Sequence, residues 1–211
     1  MAKSRDEGLT FTIPEILRAE TLVKIEGITP LLSNKFGEKE RNAILDKMMG
    51  KPKTKAKKDY DPEKACWQKV YWIDQEKGVH GLPVSMFKRC TVNSTVFFEK
   101  KVSKVLFNTL WFKGQHIIDG LDLVELKFKK VWCREDVISV NSTSQNKAKG
   151  LTHRPCYEDW SCELSVKYAS DLIKLDMLIN LLNAAGTLVG VGNWRPERGG
   201  DFGQFKVISY E

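Results

Sequence analysis

No stretch of this chain reaches the roughly 18 consecutive apolar residues that a membrane-spanning helix needs, and residues 1–20 (MAKSRDEGLTFTIPEILRAE) lack the continuous apolar core of a secretory signal. A cytoplasmic protein with no membrane partner is expected. Histidine is scarce, with only His80, His116 and His153. The five cysteines (Cys66, Cys90, Cys133, Cys156 and Cys162) are odd in number, scattered, and contain no CxxC pair. That pattern argues against a disulfide framework or a structural zinc site, and reduced, mostly buried thiols are expected. Acidic residues are dispersed as well. The adjacent Glu158 and Asp159 would point apart on a strand, so neither a metal nor a cofactor is expected. Two phosphate-binding signatures are missing too. GNWRPERGG has no GK[ST] ending, and Arg195 stands where a GxGxxG fingerprint requires its third glycine.

What the chain does have is positive charge. Its 34 Lys and Arg against 27 Asp and Glu give a net charge of +7 and a pI near 9.1. Such an excess raises the local concentration of polyanions without specifying a fold. It is densest in KPKTKAKKDYDP, residues 51–62, where Lys53, Lys55, Lys57 and Lys58 sit in a stretch with no apolar face. This is either a solubilising loop or an electrostatic arm that lies over a phosphate backbone and adds salt-sensitive affinity. With 42% hydrophobic and 29% charged residues the composition is that of a soluble globular protein. A length of 211 residues suits one domain spanning 1–211.

Periodicity orders the elements. TLVKIEG predicts a strand over 21–28. NKFGEKERNAILDKMMG predicts a helix that packs Ile44, Leu45, Met48 and Met49 and stops at Gly50. Asp61-Pro62 reads as an N-cap with proline in the first turn, and Pro83 opens a helix facing Met86, Phe87 and Cys90 to the core. Residues 95–113 fit either helix or strand. Strands are expected at 115–118, 122–132 and 160–168, with VISV (137–140) continuing the pairing and 141–150 as a polar loop. A helix over 171–185, capped by Ser170 or Asp171, should end at Gly186. FGQFKVISY closes the chain as a strand. The order β-α-β-β-α-β predicts an α+β, ferredoxin-like core from 20–50 and 115–211, with a mixed helical insertion at 51–114.

The densest chemistry lies between the last helix and the last strand. There Gly190, Gly192, Gly199, Gly200 and Gly203 surround Trp194, Arg195 and Arg198. Glycine lets a backbone approach closely or adopt positive φ, arginine grips phosphate bidentately, and an aromatic ring stacks a base. The alternative is a rigid turn in which an arginine pairs with Glu197 or Asp201 while Trp194 fills the edge of the core. LTHRPCYEDW supplies Arg154 as a further phosphate contact and Tyr157 as a second stacking ring. His153 is a weak catalytic candidate. It could exchange protons near pH 7 beside an Arg154 that stabilises a phosphoryl transition state, yet a lone histidine in a polar loop is more often a surface residue. His80 and His116 read as strand or turn residues.

With its preceding strand and helix, AAGTLVGVGNWRPERGGDFGQFKV resembles the C-terminal glycine-rich region of the RAMP (repeat-associated mysterious protein) superfamily, ferredoxin-like CRISPR RNA-binding and RNA-processing proteins. The matching positions are Gly190, Val191, Gly192, Arg195, Arg198, Gly200, Phe202, Gly203 and Phe205. The resemblance implies RNA, single-stranded nucleic acid or a nucleotide as ligand, and a place in a homo-oligomer or a ribonucleoprotein assembly. Two features depart from it. The Trp-Arg-Pro insert is not a usual family element, and no histidine stands where the processing nucleases carry theirs, so binding is implied rather than cleavage. HRPCYEDW and GVGNWRPERGG also resemble small phage-encoded proteins. That resemblance implies a different role, in the host cytoplasm, of sequestering a nucleotide signal or blocking a host factor. An RNA-processing endoribonuclease using His153 is the third reading.

Overall fold

The computed structural model describes residues 15–50, 60–139 and 149–211. The lysines at 53, 55, 57 and 58 and most of the expected loop at 141–150 lie outside the described residues. In chain order the strands and helices are β1 (Arg18–Gly27), β2 (Leu31–Leu32), α1 (Glu38–Met48), α2 (Pro62–Trp67), β3 (Tyr71–Asp74), β4 (Val79–Pro83), α3 (Val84–Ser94), α4 (Ser103–Thr109), β5 (Leu110–Lys113), β6 (His116–Ile118), β7 (Leu121–Glu125), β8 (Lys130–Ser139), β9 (Lys149–Glu158), β10 (Ser161–Ala169), α5 (Leu175–Leu188) and β11 (Phe205–Tyr210). Short 3-10 turns occupy Thr95–Phe97, Lys100–Val102 and Pro196–Arg198. The architecture is mixed α+β.

Alternation explains the central sheet, whose strand order is β11-β1-β10-β5 and whose pairs are all antiparallel. Val23 and Ile25 on β1 and Cys162, Leu164 and Val166 on β10 point to one side and are buried. The helices α3 and α5 pack on each other, α5 against β11 and α3 against β5. Phe87 of α3 meets Phe205 of β11 with ring centroids 5.7 Å apart. Burying side chains of this size contributes about 1.5–3 kcal/mol each. A second sheet, β2-β9-β8, is dominated by the long β8–β9 pairing from Lys130↔Glu158 to Ser139↔Lys149. A third, β3-β4-β7-β6, joins the first through the Lys127–Ser161 bridge.

Several expectations hold at the level of single residues. The Asp61 carboxylate accepts from the Glu63 and Lys64 N–H groups at 3.0 and 3.1 Å, with Pro62 in the first turn. Gly50 follows α1 at φ 68°. The ambiguous 95–113 stretch is helix and then strand, α4 running straight into β5.

Others are corrected. The apolar residues of α1 do not pack: Ile44, Leu45, Met48 and Met49 are all exposed, and α3 is the helix that joins α5 over the sheet. Residues 122–132 are not one strand. The chain leaves the third sheet at Leu126, whose N–H donates to His80 O at 2.9 Å, and enters the second at Lys130. The last helix begins at Leu175, because Asp171 accepts from the Leu17 N–H instead of capping. It also runs past Gly186. A Cβ there would lie 2.0 Å from Phe205 O, so the glycine permits a close helix-to-strand crossing rather than ending the helix.

His80 shows how the third sheet is anchored. It is buried, its Nδ1 lies 3.1 Å from the Tyr157 hydroxyl, and Trp72 and Phe128 pack on its ring. Burial holds it below the ordinary imidazole value. The unfolded chain therefore takes up a proton that the native chain resists, and stability falls as pH drops through about 6.5. Urea unfolding at pH 7.5 and pH 5.5 should show this loss, and His80→Gln should remove up to one proton's worth of the slope. An unchanged slope in that variant would show that His80 does not titrate on unfolding.

Candidate functional site

The glycine-rich loop folds back on itself. The Val191 N–H donates to Gly203 O at 2.9 Å, Phe202 to Trp194 O at 3.1 Å, and Glu197 to Val189 O at 3.2 Å. Two more bonds fasten it to the segment after β1, from Gly203 N–H to Pro30 O at 2.8 Å and from Asn193 N–H to Leu32 O at 2.9 Å. These crossings leave no space for side chains. A Cβ would lie 1.8 Å from Val191 O at Gly203, 2.0 Å from Trp194 O at Gly200 and 2.5 Å from Leu32 O at Gly192, while at Gly190 it would meet Pro196 Cδ at 2.7 Å. Gly199 alone of the five borders open space, closing the 3-10 turn at φ 75°. Four of the five glycines thus serve the loop's packing, three against the loop itself and Gly192 against β2.

Arg154 is not a free cation. Antiparallel pairing sets it opposite Arg134, and both reach Asp136, Arg134 Nε to Oδ1 at 2.8 Å and Arg154 Nη2 to Oδ2 at 2.7 Å. The Arg154 guanidinium lies 4.8 Å from the Trp194 ring centroid, and that of Arg134 lies 5.0 Å from Phe202. Arg154 is 4% exposed and its Nε lacks a hydrogen-bond partner among the described residues. Its charge is spent on Asp136 and Trp194, which corrects the phosphate-contact expectation. Trp194, held at φ 51°, is 37% exposed and gives one of its faces to Arg154.

Tyr157 is fully buried against His80 and Phe128, so its ring offers no face to a base. The stacking role expected of it is corrected to a core role. His153 belongs to strand β9 rather than a loop. It is 6% exposed, with Nδ1 2.7 Å from the Tyr60 hydroxyl and Nε2 2.8 Å from Glu135 Oε2. As the neighbour of Arg154 on a strand it faces the opposite side of the sheet, away from the loop.

Arg195 takes the pairing that the rigid-turn alternative describes. Its Nε donates to Glu197 Oε2 at 2.9 Å and its Nη1 to Gly192 O at 3.1 Å, while Asn93 Nδ2 donates to Glu197 Oε1 at 2.8 Å. Arg198 projects into solvent from the 3-10 turn. Between this loop and α3 lies a cavity of about 420 Å³, bordered by Met86, Arg89, Cys90 and Asn93 of α3, by Asn34, and by Arg195, Glu197 and Arg198. Three arginines face one glutamate there. Among the described residues no carboxylate pairs with Arg89 or Arg198. Cys90 is an inert floor, since its thiol donates to Ala185 O at 3.2 Å and burial pushes its pKa up. Arg89, Asn93 and Asn34 went unnoticed in the sequence. Arg89 and Asn93 share a helical face with Met86, and polar residues at that spacing on an otherwise apolar helix were the available signal.

No protein-family model and no curated protein matches the sequence. Solved structures do. A chain in the cryo-EM structure of the Type III-B Cmr-beta bound to cognate target RNA superposes with a TM-score of 0.51 at 9% identity, covering 92% of this chain. This chain spans 60% of that one. Cmr6 from Pyrococcus furiosus superposes with a TM-score of 0.42 at 10% identity, over 91% of this chain and 98% of Cmr6. The fold is similar to that of the Cmr-beta chain. At this level of identity the likeness concerns the fold alone. Among the described residues no helix is long and apolar enough to cross a membrane.

Two substitutions test how the site is held. Asp136→Ala leaves the buried Arg154 charge unpaired and should destabilise the protein by about 3–5 kcal/mol; a urea midpoint equal to the parent's would refute the network's role. Gly203→Ala combines positive φ with a steric collision and should cost more than about 2 kcal/mol, again read from urea unfolding. Full stability in that variant would mean that the Val191–Gly203 crossing is not a constraint.

Proposed function

We propose that this chain is a non-catalytic RNA-binding protein of RAMP-like type, which holds the RNA backbone in the cavity between α3 and the glycine-rich loop. The observation that carries this reading is a cavity whose rim has two arginines, Arg89 and Arg198, with no carboxylate partner among the described residues. Guanidinium groups in that state bind phosphate oxygens at full charge. Arg195 is held by Glu197 and Gly192 O, so it contributes field and shape more than a free hand. Asn34, which also borders the cavity, can both donate to and accept from a base or ribose hydroxyl. The exposed part of Trp194 remains available for stacking.

Three further points support the reading. A chain of similar fold comes from Cmr-beta bound to target RNA. The strand order β11-β1-β10-β5, with α3 and α5 as crossover helices, fits a ferredoxin-like core. In that description the chain is one domain, and the segment 51–114 supplies α3 and β5 to the core instead of being a pure insertion. His153, with both ring nitrogens engaged and little exposure, supports binding over cleavage. The lysines at 53, 55, 57 and 58 would add a salt-sensitive arm, and the chain would work in the cytoplasm within a homo-oligomer or a ribonucleoprotein.

Fluorescence anisotropy with a labelled single-stranded RNA tests this. Arg198→Ala should weaken binding about fivefold or more and reduce the slope of log affinity against log salt by about 0.7, the value for one phosphate contact on a single strand. Parent-like affinity and slope in both Arg89→Ala and Arg198→Ala would remove the cavity from consideration.

A further inference from the structure

The end of α3, the two 3-10 turns after it and α4 form a corner where large apolar side chains face water. Phe97 is 57% exposed, Phe98 66% and Phe107 51%, with Val96 and Val105 beside them at 57% and 49%. Monomeric proteins rarely leave so much aromatic surface together without a partner. The corner is built, not frayed. The Thr95 and Ser103 hydroxyls hydrogen-bond to each other, tying the end of α3 to the start of α4. The Thr95 hydroxyl donates to Val92 O at 2.7 Å. One helical stretch back, the Lys88 ammonium sits 4.5 Å from the Phe107 ring centroid.

Its charge tells what kind of surface this is. Residues 84–109 contain Lys88, Arg89, Lys100, Lys101 and Lys104 against the single acid Glu99. The cores of protein–protein interfaces are depleted of lysine, whereas single-strand binders interleave cationic side chains with aromatic rings that stack successive bases. The patch also continues the cavity. Met86, Arg89 and Asn93 line the cavity, and the 3-10 turn Thr95–Phe97 follows directly on the end of α3 at Ser94. From Arg89 to Phe97 is about 14 Å along α3 and that turn.

We propose that Phe97, Phe98 and Phe107, with Lys88, Lys101 and Lys104, form a second single-stranded RNA surface that stacks the bases of a strand leaving the cavity. The ligand is then a strand of several nucleotides and not a mononucleotide. This rests on the cavity holding the RNA backbone.

Anisotropy of labelled oligouridines of 3 and 12 nucleotides with the full-length chain tests it. Phe98→Ala and Phe107→Ala should each weaken the 12-mer by about 5- to 150-fold, the range for losing one base–aromatic stack. Binding of the 3-mer and the salt slope should change little. Both rings are exposed, so thermal melts should match the parent. Phe98→Trp should keep affinity and show indole quenching when the 12-mer binds. The patch assignment falls if the phenylalanine variants bind the 12-mer like the parent, or if Phe98→Trp shows no quenching. It also falls if those variants alter only the oligomeric state, which would make the patch a protein contact. The cavity reading fails separately, if Arg89→Ala and Arg198→Ala bind normally while the phenylalanine variants weaken. A parent chain that binds neither oligomer at low salt overturns both.

Discussion

One carboxylate, Asp136, holds two guanidinium groups, and the geometry of the candidate site follows from that sharing. Removing Asp136 and Arg154 from water is costly, and mutual attraction compensates only when the geometry is good. Here the pair distances are 2.7 and 2.8 Å, and the faces of both guanidiniums are covered by aromatic rings. Those rings, Trp194 and Phe202, belong to the glycine-rich loop. The ion network of β8 and β9 therefore fixes where the loop can lie, and the loop forms one wall of the cavity against α3.

A loop clamped at its aromatics must still close on itself within sixteen residues, and this explains its glycines. Four of its positions, Gly190, Gly192, Gly199 and Gly203, have φ near 70°, and at all of the loop glycines but Gly199 a side chain would strike a neighbour. Glycine lowers stability through its freedom in the unfolded chain, and the dense backbone bonding offsets that. The result is a wall whose shape is set before any ligand arrives. Preorganisation of this kind improves affinity, because less ordering entropy is lost on binding.

Much of the framework was legible in the sequence. Alternation found β1, β10 and β11, whose inner residues are a regular apolar series, and capping chemistry found Asp61-Pro62. What could not be read was which partners those elements choose. α1 has the apolar spacing of a packed helix, but α3 takes its place over the sheet, and periodicity carries no information about which of two amphipathic helices wins. The burial of Arg154 depends on an ion pair with Asp136, 18 residues away, and on the Trp194 ring, and that of Tyr157 on His80 and Phe128. Spacing within HRPCYEDW cannot reveal either. The glycines at 200 and 203 answer to backbone oxygen atoms of the loop itself, at Trp194 and Val191, which no local pattern announces.

The charged residues that can act on a ligand are those left over once the fold has used its share. Arg154 and Arg134 are consumed by Asp136, and Arg195 is engaged by Glu197. Arg89 and Arg198 remain, on two different elements that border one cavity. This gives the Trp-Arg-Pro insert a physical meaning. Trp194 supplies the ring that covers Arg154, Arg195 cross-links the loop through Glu197, and Pro196 starts the turn that raises Arg198 toward solvent. The Trp-Arg-Pro segment thus acts as the bracket holding the outward arginine in place. A loop without it would need another way to cover Arg154, and the cavity wall would be different.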